Sequence, residues 1–111
     1  MFKNLFSRAP NPVDVPLENF AKAVRAREVA VVDVRESHEY EAGHIPDSVN
    51  LPLSSFDPRK LPQGKPVVLI CQAGGRSLKA LTQAHAAGRD DVKHYAGGMS
   101  QWRSHGGEST V

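Results

Sequence analysis

The sequence predicts an α/β domain built on a mainly parallel sheet, and three observations lead there. Short apolar runs at Val29–Val34 and Val67–Ile70, and a last short strand expected at Val92–Tyr95, alternate with segments of helical periodicity; strands separated by helices of about ten residues pair in parallel through right-handed crossovers. The run Val67-Val68-Leu69-Ile70, bounded by Pro66, is apolar at every position, the pattern of a strand buried on both faces. The chain has 111 residues, of which 40% are apolar and 23% charged, enough for one core and too few for two.

Each element follows from a local signal. Pro10, Pro12 and Pro16 punctuate the opening of the chain, where residues 1–12 are expected to form a flexible leader feeding a short strand near Val13–Val15. Leu17, Phe20, Ala21 and Val24 recur at helical spacing and predict a helix to about Ala26. Val29–Val34 predicts a strand that closes on Asp33-Val34-Arg35. Ser37 is placed to cap a short helix through Ala42, with Glu39 in its first turn, where the helix dipole favours an anion. A turn at Gly43–Pro46 leads to a brief strand at Ser48–Leu51, and the prolines of 52–61 predict a loop with at most one helical turn. After the central strand, helical spacing runs from Leu78 to Ala87 and stops at Gly88. Val92–Tyr95 is the last strand, and Gly97-Gly98 lead into a helix carrying Met99 and Trp102, the latter expected as a core plug. Residues 106–111 read as disordered, so the domain is expected over 13–107 with a flexible tail at 108–111.

Composition narrows the function. A net charge of +2 with no basic stripe, and only four Phe, two Tyr and one Trp, argue against nucleic acid as a partner. The mildly amphipathic Met1–Arg8 lacks the apolar run of a signal peptide or a membrane span. One cysteine forms no internal disulfide, and a reduced thiol suits the cytoplasm, the expected location. Of the five histidines, His38 and His44 are six apart and His85, His94 and His105 fall in separate elements, so no metal site is expected, and no cofactor. His44, in a turn, is expected to cap a neighbour.

The chemistry concentrates at Cys71-Gln72-Ala73-Gly74-Gly75-Arg76-Ser77, where the central strand ends and a helix begins. Backbone N–H groups of residues 72–77 have no strand partner, and the glycines allow the loop to curl until those donors converge. A thiol at such a point ionises more easily, and Arg76 adds a permanent cation with a fork of donors suited to an oxyanion. The plainer reading, a buried structural cysteine beside a turn, explains neither Arg76 nor the helix start. Ligand sites of parallel sheets lie beyond the strands' carboxyl ends, and Cys71 is at one. Asp33 and Arg35 follow another. They are expected to support the loop, Asp33 by accepting its N–H bonds and Arg35 by adding positive field; a structural ion pair is the plainer alternative and the preferred one for Arg35.

Cys71-Gln72-Ala73-Gly74-Gly75-Arg76-Ser77 resembles the Cys-x-x-Gly-x-Arg-Ser loop of the rhodanese-like sulfurtransferases. Val31–Glu36 is similar to that family's first core strand. Gly43-His44-Ile45-Pro46 through Asn50 and Pro52 resembles its G-H-I-P-x-x-x-N-x-P segment, and Gly97-Gly98 with Trp102 its G-G-x-x-x-W. Four motifs in register span about residues 13–107. The resemblance implies a central sheet of roughly five strands with helices on both sides. It also implies transfer of a sulfane sulfur from thiosulfate or a similar donor, through a Cys71 persulfide, to cyanide or a thiol. Gln72 to Ser77 would stabilise the persulfide, and Arg76 would either bind a sulfonate or fix the loop's curl. A protein sulfur acceptor, as in a relay, is an alternative. A cysteine phosphatase or arsenate reductase fits less well, because four residues rather than five separate Cys71 from Arg76. Ala84, Arg89 and Glu108 depart from the family's usual residues.

Overall fold

A computed structural model describes residues 13–111. The leader expected at 1–12 lies outside the described residues. The chain runs α1 (Leu17–Arg25), β1 (Ala30–Asp33), α2 (Ser37–Glu41), β2 (Val49–Asn50), two 3-10 turns (Leu53–Ser55 and Pro58–Lys60), β3 (Val67–Ile70), α3 (Gly75–Ala86), β4 (Lys93–His94) and α4 (Gly98–Ser104). The sheet has the order β2-β1-β3-β4 and every pairing is parallel.

Strand residues alternate between two cores, as the pleat requires. Val31, Val68 and Ile70 pack with Phe20 and Ala21 of α1 and with Met99 and Trp102 of α4. Val32, Val67, Leu69 and Cys71 pack on the opposite face with Ala80, Leu81 and Ala84 of α3. The helices therefore cover both faces, and Cys71 continues the parity of the face beneath α3. Trp102 is the expected plug: it is buried, meets Phe20 edge-on, and its Nε1 donates to the Glu108 carbonyl at 2.9 Å.

The fifth strand is the main difference from expectation. Residues 13–15 meet β4 through one bridge, Asp14 to His94, in which Val15 N donates to His94 O at 2.9 Å and His94 N to Val13 O at 2.9 Å. Pro12 and Pro16 flank this segment and have no N–H to extend a ladder. Smaller corrections follow the same logic of local hydrogen bonding. Ser37 does not cap α2; Glu36 occupies that position, and its N–H donates to the Glu39 carboxylate at 3.0 Å. The loop at 52–61 holds two helical turns, not one. The helix after Cys71 starts three residues early, at Gly75. In place of the flexible tail expected at 108–111, Thr110 exchanges two backbone hydrogen bonds with His44, each 2.8 Å. His44 also meets the expectation of a cap: its Nδ1 is 2.7 Å from the Tyr40 carbonyl and its ring stacks on Tyr40. Arg89 ties the 3-10 turns to the end of α3, donating to the Pro62 carbonyl at 2.9 Å.

Asp33 and Arg35 form a buried two-pronged ion pair at the end of β1, with Arg35 Nη2 2.8 Å from Asp33 Oδ2 and both side chains at most 3% exposed. Replacing Arg35 by Met leaves the Asp33 carboxylate buried without its partner. The expected cost is about 3–5 kcal/mol in urea denaturation. An Asp33→Leu/Arg35→Met double variant is expected to lose less than the single one.

Candidate active site

Cys71 follows β3 directly, is 1% exposed, and sits at the floor of a ring formed by the loop that turns into α3. The Gly74 N–H donates to its sulfur at 3.1 Å and the Ser77 N–H at 3.3 Å, while Ser77 Oγ lies 3.5 Å away. Burial pushes the thiol up and is the largest single influence. Against it act the Ser77 hydroxyl and the N–H groups of Ser77, Gly74 and Ala73, and their sum brings the thiol below its ordinary value. The anionic form of the sulfur is thus stabilised relative to an ordinary thiol although it is out of water.

Two close approaches hold the loop in this shape. Gly74 has φ +98°, and a Cβ there would lie 2.6 Å from the Ala96 carbonyl oxygen. Ala96 is itself fixed by its N–H, which donates to Asp14 Oδ1 at 3.0 Å. On the outer side the start of α4 meets the loop: Met99 N donates to Cys71 O at 2.9 Å and Ser100 N to Gln72 O at 3.1 Å. Gly98, with φ +65°, lets α4 come this near, since a Cβ would fall 2.3 Å from Gln72 O. The Gln72 side chain completes the contact by donating to Ser100 Oγ at 3.0 Å.

The remaining expected residues divide. Gly74 and Ser77 are buried within the ring, Ala73 and Gly75 are exposed on its rim, and Gln72 and Arg76 are half-buried. The Arg76 fork, expected to face an oxyanion, is engaged by Glu39, with Nη1–Oε1 at 2.6 Å and Nη2–Oε2 at 3.0 Å. Hydrogen bonding to Arg76 brings Glu39 down to about 2, and the same pair pushes Arg76 up. Asp33 does not hold the loop. It accepts from the Arg35 backbone N–H at 3.0 Å and from the Arg35 guanidinium, which reaches on to the Gly43 carbonyl at 2.8 Å. A strand-end carboxylate two residues from an arginine satisfies itself locally, and Arg35 is its ion-pair partner. Two residues that sequence reasoning did not single out for the site now join it. Glu39 anchors Arg76, and His94 lies with Nδ1 2.9 Å from Ser77 Oγ. Strand parity was the available signal for His94, which β4 pairs with Leu69, two residues before Cys71.

The sequence profile of the rhodanese-like domain matches residues 17–105. The chain is 36% identical over 93 residues to the thiosulfate sulfurtransferase GlpE of Pseudomonas syringae, covering 82% of this chain and 88% of that protein. It is 34% identical over 95 residues to the thiosulfate:glutathione sulfurtransferase of Saccharomyces cerevisiae, covering 72% and 68%. An uncharacterized protein of Synechocystis is 45% identical over 80 residues, and the match spans 70% of this chain but 45% of that longer protein. Among solved structures, the human single-domain sulfurtransferase TSTD1 superposes with a TM-score of 0.71 at 26% identity, covering 83% of this chain and 96% of that one.

Two outcomes follow from the loop's supports. Gly98→Ala forces a side chain against Gln72 O at a left-handed φ, and is expected to cost about 2–4 kcal/mol in urea denaturation and to slow Cys71 alkylation. The Glu39 carboxyl, at about 2 when folded against an ordinary 4.5, stabilises the fold above the higher value and loses that contribution as pH falls toward the lower one. The urea midpoint of the wild type should therefore exceed that of Glu39→Gln by a constant amount at neutral pH. That margin is expected to shrink as the pH is lowered from 4.5 toward about 2.

Proposed function

We propose that this chain, which belongs to the rhodanese-like domain family, is a sulfurtransferase that carries a sulfane sulfur on Cys71 from thiosulfate or a similar donor to cyanide or a thiol. The observation that carries the reading is the pair of backbone N–H groups, Gly74 and Ser77, directed at one buried sulfur. In the first half-reaction the thiolate attacks the outer sulfur of thiosulfate. A Cys71 S–S bond forms, the donor's S–S bond breaks, and sulfite leaves with the electron pair. In the second, the acceptor attacks the outer sulfur of the persulfide and the Cys71 thiolate leaves. Neither half needs a general base once the thiol is ionised, and the same N–H donors serve thiolate and persulfide. Relatives named for thiosulfate as donor and glutathione as acceptor support this pairing.

A sulfur almost sealed from solvent admits a slender terminal sulfur atom more readily than a tetrahedral phosphate or arsenate. The Arg76 fork that a phosphatase would turn to its substrate is held by Glu39. A thiolate carrier works best where thiols stay reduced, which supports a cytoplasmic setting; no helix among the described residues is long and apolar enough to cross a membrane. The acceptor is a small thiol or a cysteine of a partner protein.

Incubation with thiosulfate should add one sulfur atom to the intact mass, and cyanide should then release thiocyanate with turnover. Cys71→Ser is expected to abolish both. Sulfur uptake with negligible turnover would move the reading to a relay that hands sulfur to a protein. Phosphate release from an aryl phosphate without sulfur uptake would overturn it.

A further inference from the structure

One buried imidazole has no part in the sulfur transfer described above. His94 ends β4 and is 2% exposed. Its Nδ1 lies 2.9 Å from Ser77 Oγ, which is 3.5 Å from the Cys71 sulfur. Its Nε2 is buried and has no hydrogen-bond partner among the described residues. Burial pushes the imidazole below its ordinary value, and the opposing influence of Asp14 does not restore it. Burial thus favours the neutral ring, which carries one N–H.

The two neutral tautomers act oppositely on Ser77. With the proton on Nδ1, the ring donates to Ser77 Oγ, and the hydroxyl proton goes either to the Gly74 carbonyl, to which the hydroxyl donates at 3.2 Å, or to the sulfur once that is charged. The carbonyl already accepts from Leu78 N at 3.1 Å, and an anion is the stronger acceptor. With the proton on Nε2, Nδ1 takes the hydroxyl proton and turns it away from the sulfur, while the Nε2–H is buried with no acceptor. Orphaned buried N–H donors are rarer than under-used acceptors, which favours the first arrangement. A hydroxyl that accepts one hydrogen bond also donates a stronger one.

We propose that His94 is a positioning residue: as the Nδ1–H tautomer it donates to Ser77 Oγ, so that the Ser77 hydroxyl proton points at the Cys71 sulfur and stabilises its anionic forms. No proton changes hands; the imidazole orients and polarises the serine. The charged groups around this line are accounted for separately. The Asp14 carboxylate accepts from Ala96 N, and Arg76, whose charge is felt at Cys71, is paired with Glu39. The consequence for turnover rests on the sulfurtransferase reading, whereas the effect on the thiol does not.

The test reads the thiol directly. Iodoacetamide alkylation of Cys71 at pH 7 is compared for the wild type, His94→Leu, His94→Asn, Ser77→Ala and the double variant Ser77→Ala/His94→Leu. Circular dichroism confirms that each is folded, and 15N NMR of the wild type reads the His94 tautomer. The spectrum should place the proton on Nδ1. His94→Leu should alkylate about three- to tenfold more slowly, while His94→Asn, which keeps an N–H donor, should stay within about twofold of the wild type. In the Ser77→Ala background, His94→Leu should change nothing, because the group through which it acts is gone. A folded His94→Leu protein alkylated at the wild-type rate, or a proton found on Nε2, would overturn the proposal. If alkylation follows the expected pattern but thiosulfate leaves no sulfur on Cys71, the role of His94 stands and the sulfurtransferase reading fails.

Discussion

The site depends on where two carbonyl groups point. A trans peptide is planar and sets its C=O and N–H in opposite directions. The first turn of α4 draws the Gln72 carbonyl outward through the Ser100 N–H. The N–H on the far side of that same peptide belongs to Ala73, and it is thereby turned in toward the sulfur, where it helps to hold the thiol down. Met99 does the same for the Cys71 carbonyl. The curl of the loop is thus imposed from outside by a helix whose backbone N–H groups hold the loop's carbonyls. Gly98 is what allows that helix to stand close enough, so the two glycine-bearing motifs, far apart in sequence, form one device.

A consequence is that the sulfur is stabilised mainly by dipoles rather than by a neighbouring unpaired cation. Arg76 and Arg35, the two arginines nearest to the argument, are each occupied by a carboxylate, Glu39 and Asp33. Such pairs contribute geometry: Arg76 ties the first turn of α3 to α2, and Arg35 ties the end of β1 to the turn at Gly43. Backbone N–H groups fixed in place need no reorganisation to stabilise negative charge on the sulfur. A paired arginine cannot compete with them by binding whatever anion is abundant. The loop's own side chains Gln72 and Ala73 are uncharged, so near the sulfur the ring offers mainly backbone dipoles.

How much of this the sequence revealed follows the range of the interactions. The apolar runs at 29–34 and 67–70 set the two central strands, because burial on both faces leaves an unmistakable pattern. The Cys71 loop was legible because its glycines, Arg76 and Ser77 are contiguous. Strands of two residues, β2 and β4, fall inside the segments expected at 48–51 and 92–95 but leave no period to read, so their bounds are set by their neighbours in the sheet. The pairing of Arg76 with Glu39 spans 37 residues and has no local sign at all. The place of Glu39 in the first turn of α2 is readable from local sequence, whereas its partner is not. The contact of Thr110 with the backbone of His44 is equally without a local sign, because the two lie far apart in the chain.

The distribution of buried polar groups ties fold and site together. Among the described residues, the fully buried polar or charged side chains are Asp33, Arg35, Ser77 and His94. Asp33 and His94 end their strands, Arg35 follows one of them, and Ser77 opens the helix after a third. All four therefore stand at the carboxyl edge of the sheet, around Cys71, while the body of both cores is aliphatic and aromatic. Burying polar atoms is costly unless they bond one another, and three of the four have done so fully. The exception is His94, whose Nε2 has no partner. A histidine kept there against that cost, with its other nitrogen on the hydroxyl that faces the sulfur, is the mark of a position governed by the site rather than by packing. Valine or leucine would serve the core better, and neither could donate to Ser77.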